Sequence, residues 1–93
     1  MAVAVKTVII DGQKYNEGDT IHDLGSLQCV EVRGKQRDYQ GFVQDKQKLP
    51  KYDDLATGSS ATLIDPNGVE STIIGKYDEQ TKTWYDLRGG VIV

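Results

Sequence analysis

The sequence predicts an all-β fold: a small, single-domain antiparallel barrel or sandwich whose short strands are joined by hairpins. Short runs rich in Val, Ile, Thr and Tyr are separated about every ten residues by Gly, Asn or Asp, which is typical of strands and turns. No stretch keeps the period of a helix for more than a turn or two. Because 93 residues are enough for a single hydrophobic core, residues 1–93 are expected to form one domain.

The first half of the chain is expected to form strands around tight turns. Residues 3–10 make the first predicted strand, and the DG pair at 11 and 12 supplies the positive φ values of a two-residue type I′ turn. A second turn is expected over residues 16–19. The next predicted strands are LQCVEVR at 27–33, with both faces partly covered, and RDYQGFV at 37–43.

Residues 44–58 are expected to form the one longer loop, containing about one helical turn. This segment keeps no period of either kind and contains Pro50 and Gly58. Its length makes it a place for function or for an interface. Two further predicted strands, SATLID and VESTIIGKY, enclose a PNG turn at 66–68, in which Pro fixes φ while Asn and Gly tolerate positive φ.

The stretch YDEQTKTWYDL at 77–87 is predicted to be a hairpin whose polar turn separates two strands that carry aromatic residues. Tyr77 and Trp84 flank the turn and can pack across the strands, and such an aromatic pair contributes about 0.5 to 1 kcal/mol. The hairpin is therefore interpreted first as a structural clamp.

Composition and charge argue against several classes of partner. A net charge of −3, from 11 basic and 14 acidic residues mixed along the chain, creates no field that attracts nucleic acid or anionic lipid. Cys29 is the single cysteine, so no disulfide forms within the chain, and a reducing compartment is favoured.

The N-terminal MAVAVKTVII is shorter than a membrane span of about 20 residues. It also lacks the charged start of a signal peptide. We expect a soluble protein that is not exported by a signal peptide.

Side chains that could carry chemistry are better explained by structure. His22 has no second ligand or nucleophile nearby in the sequence, so a solvated strand end is expected. The acid pairs at 53–54 and 78–79 fall in loops or turns, where Asp is a preferred residue. The basic run RGKQRDY at 33–39 is flanked by acids and is interpreted as a solvated hairpin tip. The sequence therefore predicts no enzyme, no metal site and no cofactor.

Four short motifs occur in an order that resembles a known group of proteins. They are Tyr39-Gln40-Gly41, Leu49-Pro50, Thr57-Gly58-Ser59 and the hairpin that ends at Trp84. In this order they resemble small uncharacterised proteins encoded in the structural-gene regions of tailed bacteriophages and prophages of Gram-positive bacteria. Ala56 stands where that pattern usually has Pro. The resemblance implies a virion or assembly component and implies no catalytic residue.

Two functional hypotheses follow. The first is a virion structural or assembly protein that acts by protein–protein contact, as a head-associated, connector or decoration component located in the virion or the host cytoplasm. Its partners would be other virion or assembly proteins, or further copies of itself, with neither nucleic acid nor membrane. The alternative is a small ligand- or carbohydrate-binding β module that uses four aromatic residues, namely Tyr39, Tyr52, Trp84 and Tyr85. Exposed aromatics would favour the module, whereas burial of Trp84 would count against it.

The apolar ends of the chain motivate the first hypothesis. Val91, Ile92 and Val93 follow a Gly pair and have no polar partner in the sequence, so this tail is poorly placed in water. It is expected either to pair with residues 3–8 inside the monomer or to dock on a neighbouring subunit. Pairing inside the monomer is the favoured alternative.

Overall fold

The computed structural model describes residues 2–10, 12–68 and 71–93. This part of the chain contains short strands and one 3-10 helix, so the predicted all-β class is confirmed. In chain order the elements are β1 (Ala2–Val3), β2 (Val8–Ile10), β3 (Gln13–Tyr15), β4 (Thr20–Ile21), β5 (Gln28–Arg33), β6 (Gln36–Phe42), the 3-10 helix (Val43–Lys48), β7 (Ser60–Ile64), β8 (Ile73–Asp78) and β9 (Thr83–Asp86).

Most of the architecture is one open, five-stranded sheet in the order β5-β6-β7-β8-β9, which does not close into a barrel. Two smaller sheets pair β1 with β4 and β2 with β3. All strand pairs are antiparallel except β6 and β7, which run parallel. This parallel step lies where the one longer loop over residues 44–58 was predicted, and the connection contains the 3-10 helix. Residues 43–59 cross over the sheet and bury Leu49 and Leu55 against it, which returns the chain to the end where β6 began.

The predicted first strand over residues 3–10 is wrong, because the chain changes partner within it. The backbone N–H of Ala4 donates to the carbonyl of Asp19 at 2.9 Å, which ties β1 to the β4 side of the molecule. After a bend, β2 pairs instead with β3. The pairing of Ile10 with Gln13 and the φ of +80° at Gly12 agree with the predicted two-residue turn, whose other member, Asp11, lies outside the described residues.

The other predicted turns are confirmed. The turn over residues 16–19 is closed by the Asp19 N–H donating to the Asn16 carbonyl at 2.9 Å. The turn after β7 is closed by the Gly68 N–H donating to the Asp65 carbonyl at 3.2 Å. The strand predicted over residues 69–77 is observed from Ile73, and its first two residues lie outside the described part of the chain.

Among the residues that the structure describes, the five-stranded sheet is covered on one face only, and we call the covered face the inner face. Alternation along the strands sends one set of side chains to this face, where they meet the crossover. The buried core consists of Leu27, Tyr39, Leu49, Leu55, Ala61, Leu63, Tyr77 and Trp84. The opposite, outer face carries residues such as Gln40, Phe42, Ile74 and Lys76, all of which are exposed. Burial on one face with solvent on the other is usual for antiparallel sheets.

Candidate interaction surface

A row of polar side chains crosses the outer face in register from one side of the sheet to the other. Consecutive pairs in the strand register join its members, which are Glu31, Asp38, Ser60, Lys76 and Tyr85. We call this set the polar row. Because the row lies on a solvated face, its charges stay hydrated or paired with one another.

Arg33 organises the acidic end of the polar row. Glu31 and Asp38 face each other directly across β5 and β6, a like-charge pair that would be destabilising alone. The guanidinium of Arg33 donates to Glu31 Oε2 at 2.7 Å and to Asp38 Oδ2 at 2.6 Å. The hydroxyl of Ser60 donates to Asp38 Oδ1 at 2.8 Å. The hydrogen bonds from Arg33, followed by that from Ser60, lower the pKa of Asp38 to about 2 against the opposing effect of burial.

We expect Asp38 to contribute to acid sensitivity. Its folded pKa of about 2 lies below the ordinary value of 3.8, so its ionised form stabilises the fold above pH 4, and this stability is lost as pH falls from about 4 towards 2. Asp38→Asn should therefore lose less stability than the wild type between pH 5 and pH 2, which urea unfolding at each pH measures. Glu17→Gln, at an exposed carboxylate in the turn over residues 16–19, is the control. An Asp38→Asn protein as acid-sensitive as the wild type would contradict the assignment.

Beside the polar row, apolar side chains gather at one corner of the outer face. Phe42 pairs in register with Ile64, and Ile74 pairs with Thr62, two residues before Ile64 on the same strand. Ile74 and Leu87 also line one open groove of about 390 Å³. Exposures are 42% for Phe42, 42% for Ile74 and 68% for Leu87. We call these four residues, Phe42, Ile64, Ile74 and Leu87, the apolar corner.

Two of the predicted interaction residues lie in the core instead of on a surface. Trp84 is 0% exposed and Tyr39 is 2% exposed. The Trp84 ring lies 5.1 Å from the Tyr77 ring, its direct cross-strand partner, so the predicted clamp is confirmed. The indole N–H of Trp84 also donates to the Pro50 carbonyl at 2.9 Å. Neither Trp84 nor Tyr39 can stack on a ligand in this fold, which removes half of the aromatic set on which the ligand-binding hypothesis depends.

The other two predicted aromatics are half-buried and lie apart from each other. The Tyr52 hydroxyl is 2.8 Å from that of Tyr15, and burial raises the pKa of Tyr52. Tyr52 borders an open depression together with His22, whose ring meets it edge-on at 5.8 Å. Tyr85 belongs to the polar row, with its hydroxyl 3.1 Å from that of Thr81. The four aromatics therefore do not converge on one binding surface.

The C-terminal residues Val91, Ile92 and Val93 pair with β9, so the expected pairing with residues 3–8 is wrong. The Ile92 N–H donates to the Trp84 carbonyl at 2.8 Å, and the Trp84 N–H donates to the Val93 carbonyl at 2.9 Å. A tight turn closed by the Asp86 N–H donating to the Gly90 carbonyl brings the tail back onto the adjacent strand. Closing so short a loop costs less entropy than reaching the distant N-terminal segment.

Arg37 is a further residue whose position differs from the prediction. The basic run at 33–39 was expected to be a solvated hairpin tip, yet Arg37 is 1% exposed. Its guanidinium donates to the Gly12 carbonyl at 3.0 Å and to Asp54 Oδ2 at 3.3 Å, and it lies 5.5 Å from the centre of the Tyr52 ring. Arg37 thus fastens the β2–β3 hairpin and the crossover to the sheet. The available signal was its alternation with Tyr39, which places both side chains on one face.

Within residues 2–10, 12–68 and 71–93, no group of three or more His, Cys, Asp or Glu side chains is arranged to hold a metal ion. No helix in that part of the chain has the length and apolar character needed to cross a membrane. No protein-family model, curated protein or solved structure matches this chain.

Proposed function

We propose that this chain is a small structural or assembly protein of a tailed-bacteriophage or prophage particle and that it acts by protein–protein contact through the outer face of its sheet. In this role it is a head-associated, connector or decoration component that resides in the virion or in the host cytoplasm before assembly. The exposed apolar corner is the observation that supports the contact part of the proposal.

The composition of the outer face suits a protein partner. Leaving Phe42, Ile74 and Leu87 in water costs about 25 cal/mol per Å² of apolar area relative to burial, so a partner that covers them gains that free energy. The adjoining polar row supplies a hydrogen-bonding rim next to this apolar centre, which is the usual anatomy of an interface. Small ligands prefer concave sites that bury most of their surface, whereas this face is open.

The phage part of the proposal rests on the sequence resemblance, whose motifs have structural roles in this chain. Tyr39 and Trp84 belong to the core, and a Cβ at Gly41 would lie 2.7 Å from Leu27 Cδ2, so only glycine fits there. Ser59 Oγ accepts the Arg37 backbone N–H at 3.0 Å. Because the shared residues build the fold, the resemblance supports a shared architecture, and the role in a particle is inferred from it.

Sedimentation of particles tests this proposal. Cells that carry the gene are induced to lyse, particles are banded in a density gradient, and this chain is quantified by mass spectrometry in each fraction. We expect it to band with the major capsid and tail proteins at a fixed molar ratio. Recovery of the chain only in the particle-free fractions, while capsid protein bands normally, would contradict a virion role.

A further inference from the structure

The five-stranded sheet has two edges of different character. At one edge, β9 is already paired with the C-terminal residues. At the other edge lies β5, whose Val30 is 57% exposed and whose Val32 is 46% exposed. An edge strand presents backbone donors and acceptors to solvent and is a template for pairing with another chain.

The register of β5 identifies which backbone groups face outward. Arg33 and Gln36 flank a two-residue turn, so this pair exchanges both of its hydrogen bonds across β5 and β6. Hydrogen-bonded and non-hydrogen-bonded pairs alternate along an antiparallel ladder, so Val32, opposite Arg37, directs its N–H and C=O away from β6. A register shift between Cys29 and Glu31 ends the regular edge on its other side.

We propose that a second copy of this chain pairs with β5, strand to strand and antiparallel, about a two-fold axis at Val32. In that arrangement Val32 lies opposite its own copy, and each Glu31 lies opposite Arg33 of the other copy. Identical surfaces related by a two-fold axis are the commonest way in which homodimers form. The two central valines form a β-branched cross-strand pair, and each Glu31 gains a second guanidinium.

The charges also select this register over its neighbours. An axis at Glu31 would set the two Glu31 carboxylates against each other, and an axis at Arg33 would oppose the two guanidiniums. Directly opposed like charges destabilise a strand pair, whereas opposed Glu and Arg stabilise it. The three residues Glu31, Val32 and Arg33 are therefore self-complementary about their centre. This edge pairing is independent of the particle contact proposed for the apolar corner.

On the inner face, the tip of the β2–β3 hairpin lies beside Val32. Gly12, at the tip of the β2–β3 hairpin, lies so close to Val32 that a Cβ there would be 3.1 Å from Val32 Cγ1. Ile10, two residues before Gly12 in the same hairpin, is 39% exposed. The hairpin thus extends the apolar surface beside Val32, which a second copy would bury in part.

Two charge-reversal variants, measured singly and then as a mixture, test the proposal. Sedimentation equilibrium of the wild type between micromolar and millimolar concentrations should give a monomer–dimer equilibrium. Glu31→Arg and Arg33→Glu each oppose like charges in the dimer, so each alone should raise the dissociation constant roughly tenfold or more. A one-to-one mixture of the two variants opposes only unlike charges and should restore dimers, which are heterodimers. Lys76→Glu, a charge reversal on the same face but away from the edge, is the control.

Three results would overturn this inference: a wild type that is monomeric up to millimolar concentration, single variants that dimerise as the wild type does, or a mixture that stays monomeric. Circular dichroism checks that each variant folds. If Arg33→Glu does not fold, hydrogen exchange of the Val32 amide in the wild type decides. Protection that rises with protein concentration supports edge pairing, and protection that is independent of concentration contradicts it.

Discussion

Trp84→Ala is expected to lower the free energy of unfolding by about 3 to 5 kcal/mol, the range for truncating a buried large aromatic side chain. Trp84 is 0% exposed and packs against the rings of Tyr39 and Tyr77. Its removal leaves a cavity and also deprives the buried Pro50 carbonyl of its indole donor. Urea unfolding followed by circular dichroism measures the change.

Tyr85→Ala is the matched control, because Tyr85 is the adjacent aromatic but points to the outer face and is half-buried. It should cost about 1 kcal/mol or less. Should Trp84→Ala change the stability by less than about 1 kcal/mol, Trp84 would have to be exposed in solution, and the ligand-binding module would again be the better hypothesis.

Deletion of residues 89–93 should destabilise the monomer by roughly 2 to 4 kcal/mol, from the lost backbone hydrogen bonds and the exposed apolar area. Two of these hydrogen bonds join Trp84 to Ile92 and Val93, and two join Asp86 to Gly89 and Gly90. A Cβ at Gly75 would lie 2.9 Å from Ile92 Cδ1, so the Ile92 side chain fills the space above that glycine. Thermal unfolding of a dilute monomer measures the loss.

Val91→Ser is the control, because it removes an apolar side chain from the tail but keeps the backbone that pairs with β9. Val91 is 68% exposed, so this variant should keep nearly the wild-type unfolding temperature. If the protein without residues 89–93 keeps its monomer stability but fails to assemble, the pairing with β9 is contradicted. The tail would then dock on a neighbouring subunit.

The local elements of this fold can be predicted from sequence because turn chemistry is local. The turns at Gly12 and Gly68 follow directly from the residues that form them. The Tyr77–Trp84 pair was predictable for the same reason, because a short hairpin determines its own register. These predictions required no knowledge of distant contacts.

The remaining features depend on which segments meet across the sheet. The parallel pairing of β6 with β7 results from the crossover burying Leu49 and Leu55, a long-range contact that no local pattern encodes. The same holds for residues 2–10, which pair with two different strands, and for the strand with which the C-terminal tail pairs. Propensity predicts that such segments form strands but does not identify the partner strand.

The candidate surface was not predicted, because it depends on which face of the sheet each side chain occupies and not on a sequence motif. Trp84 and Tyr85 are neighbours in sequence, and alternation sends only one of them into the core. Phe42, Ile74 and Leu87 are single apolar residues in otherwise mixed segments, and only the strand register brings Phe42 and Ile74 to the same corner. A shift of one residue in register would exchange the two faces, so aromatic content alone could not identify the surface.

The most direct test of the central claim, that the outer face makes the contact, is the binding of purified variants to particles that lack this chain. The double variant Ile74→Ser/Leu87→Ser removes exposed apolar side chains from the apolar corner, and Val5→Ser makes a comparable change at an 85% exposed residue outside the five-stranded sheet. We predict that co-sedimentation is lost in the double variant, while its fold is retained, and that it is kept in Val5→Ser. A double variant that binds particles as tightly as the wild type would contradict the claim.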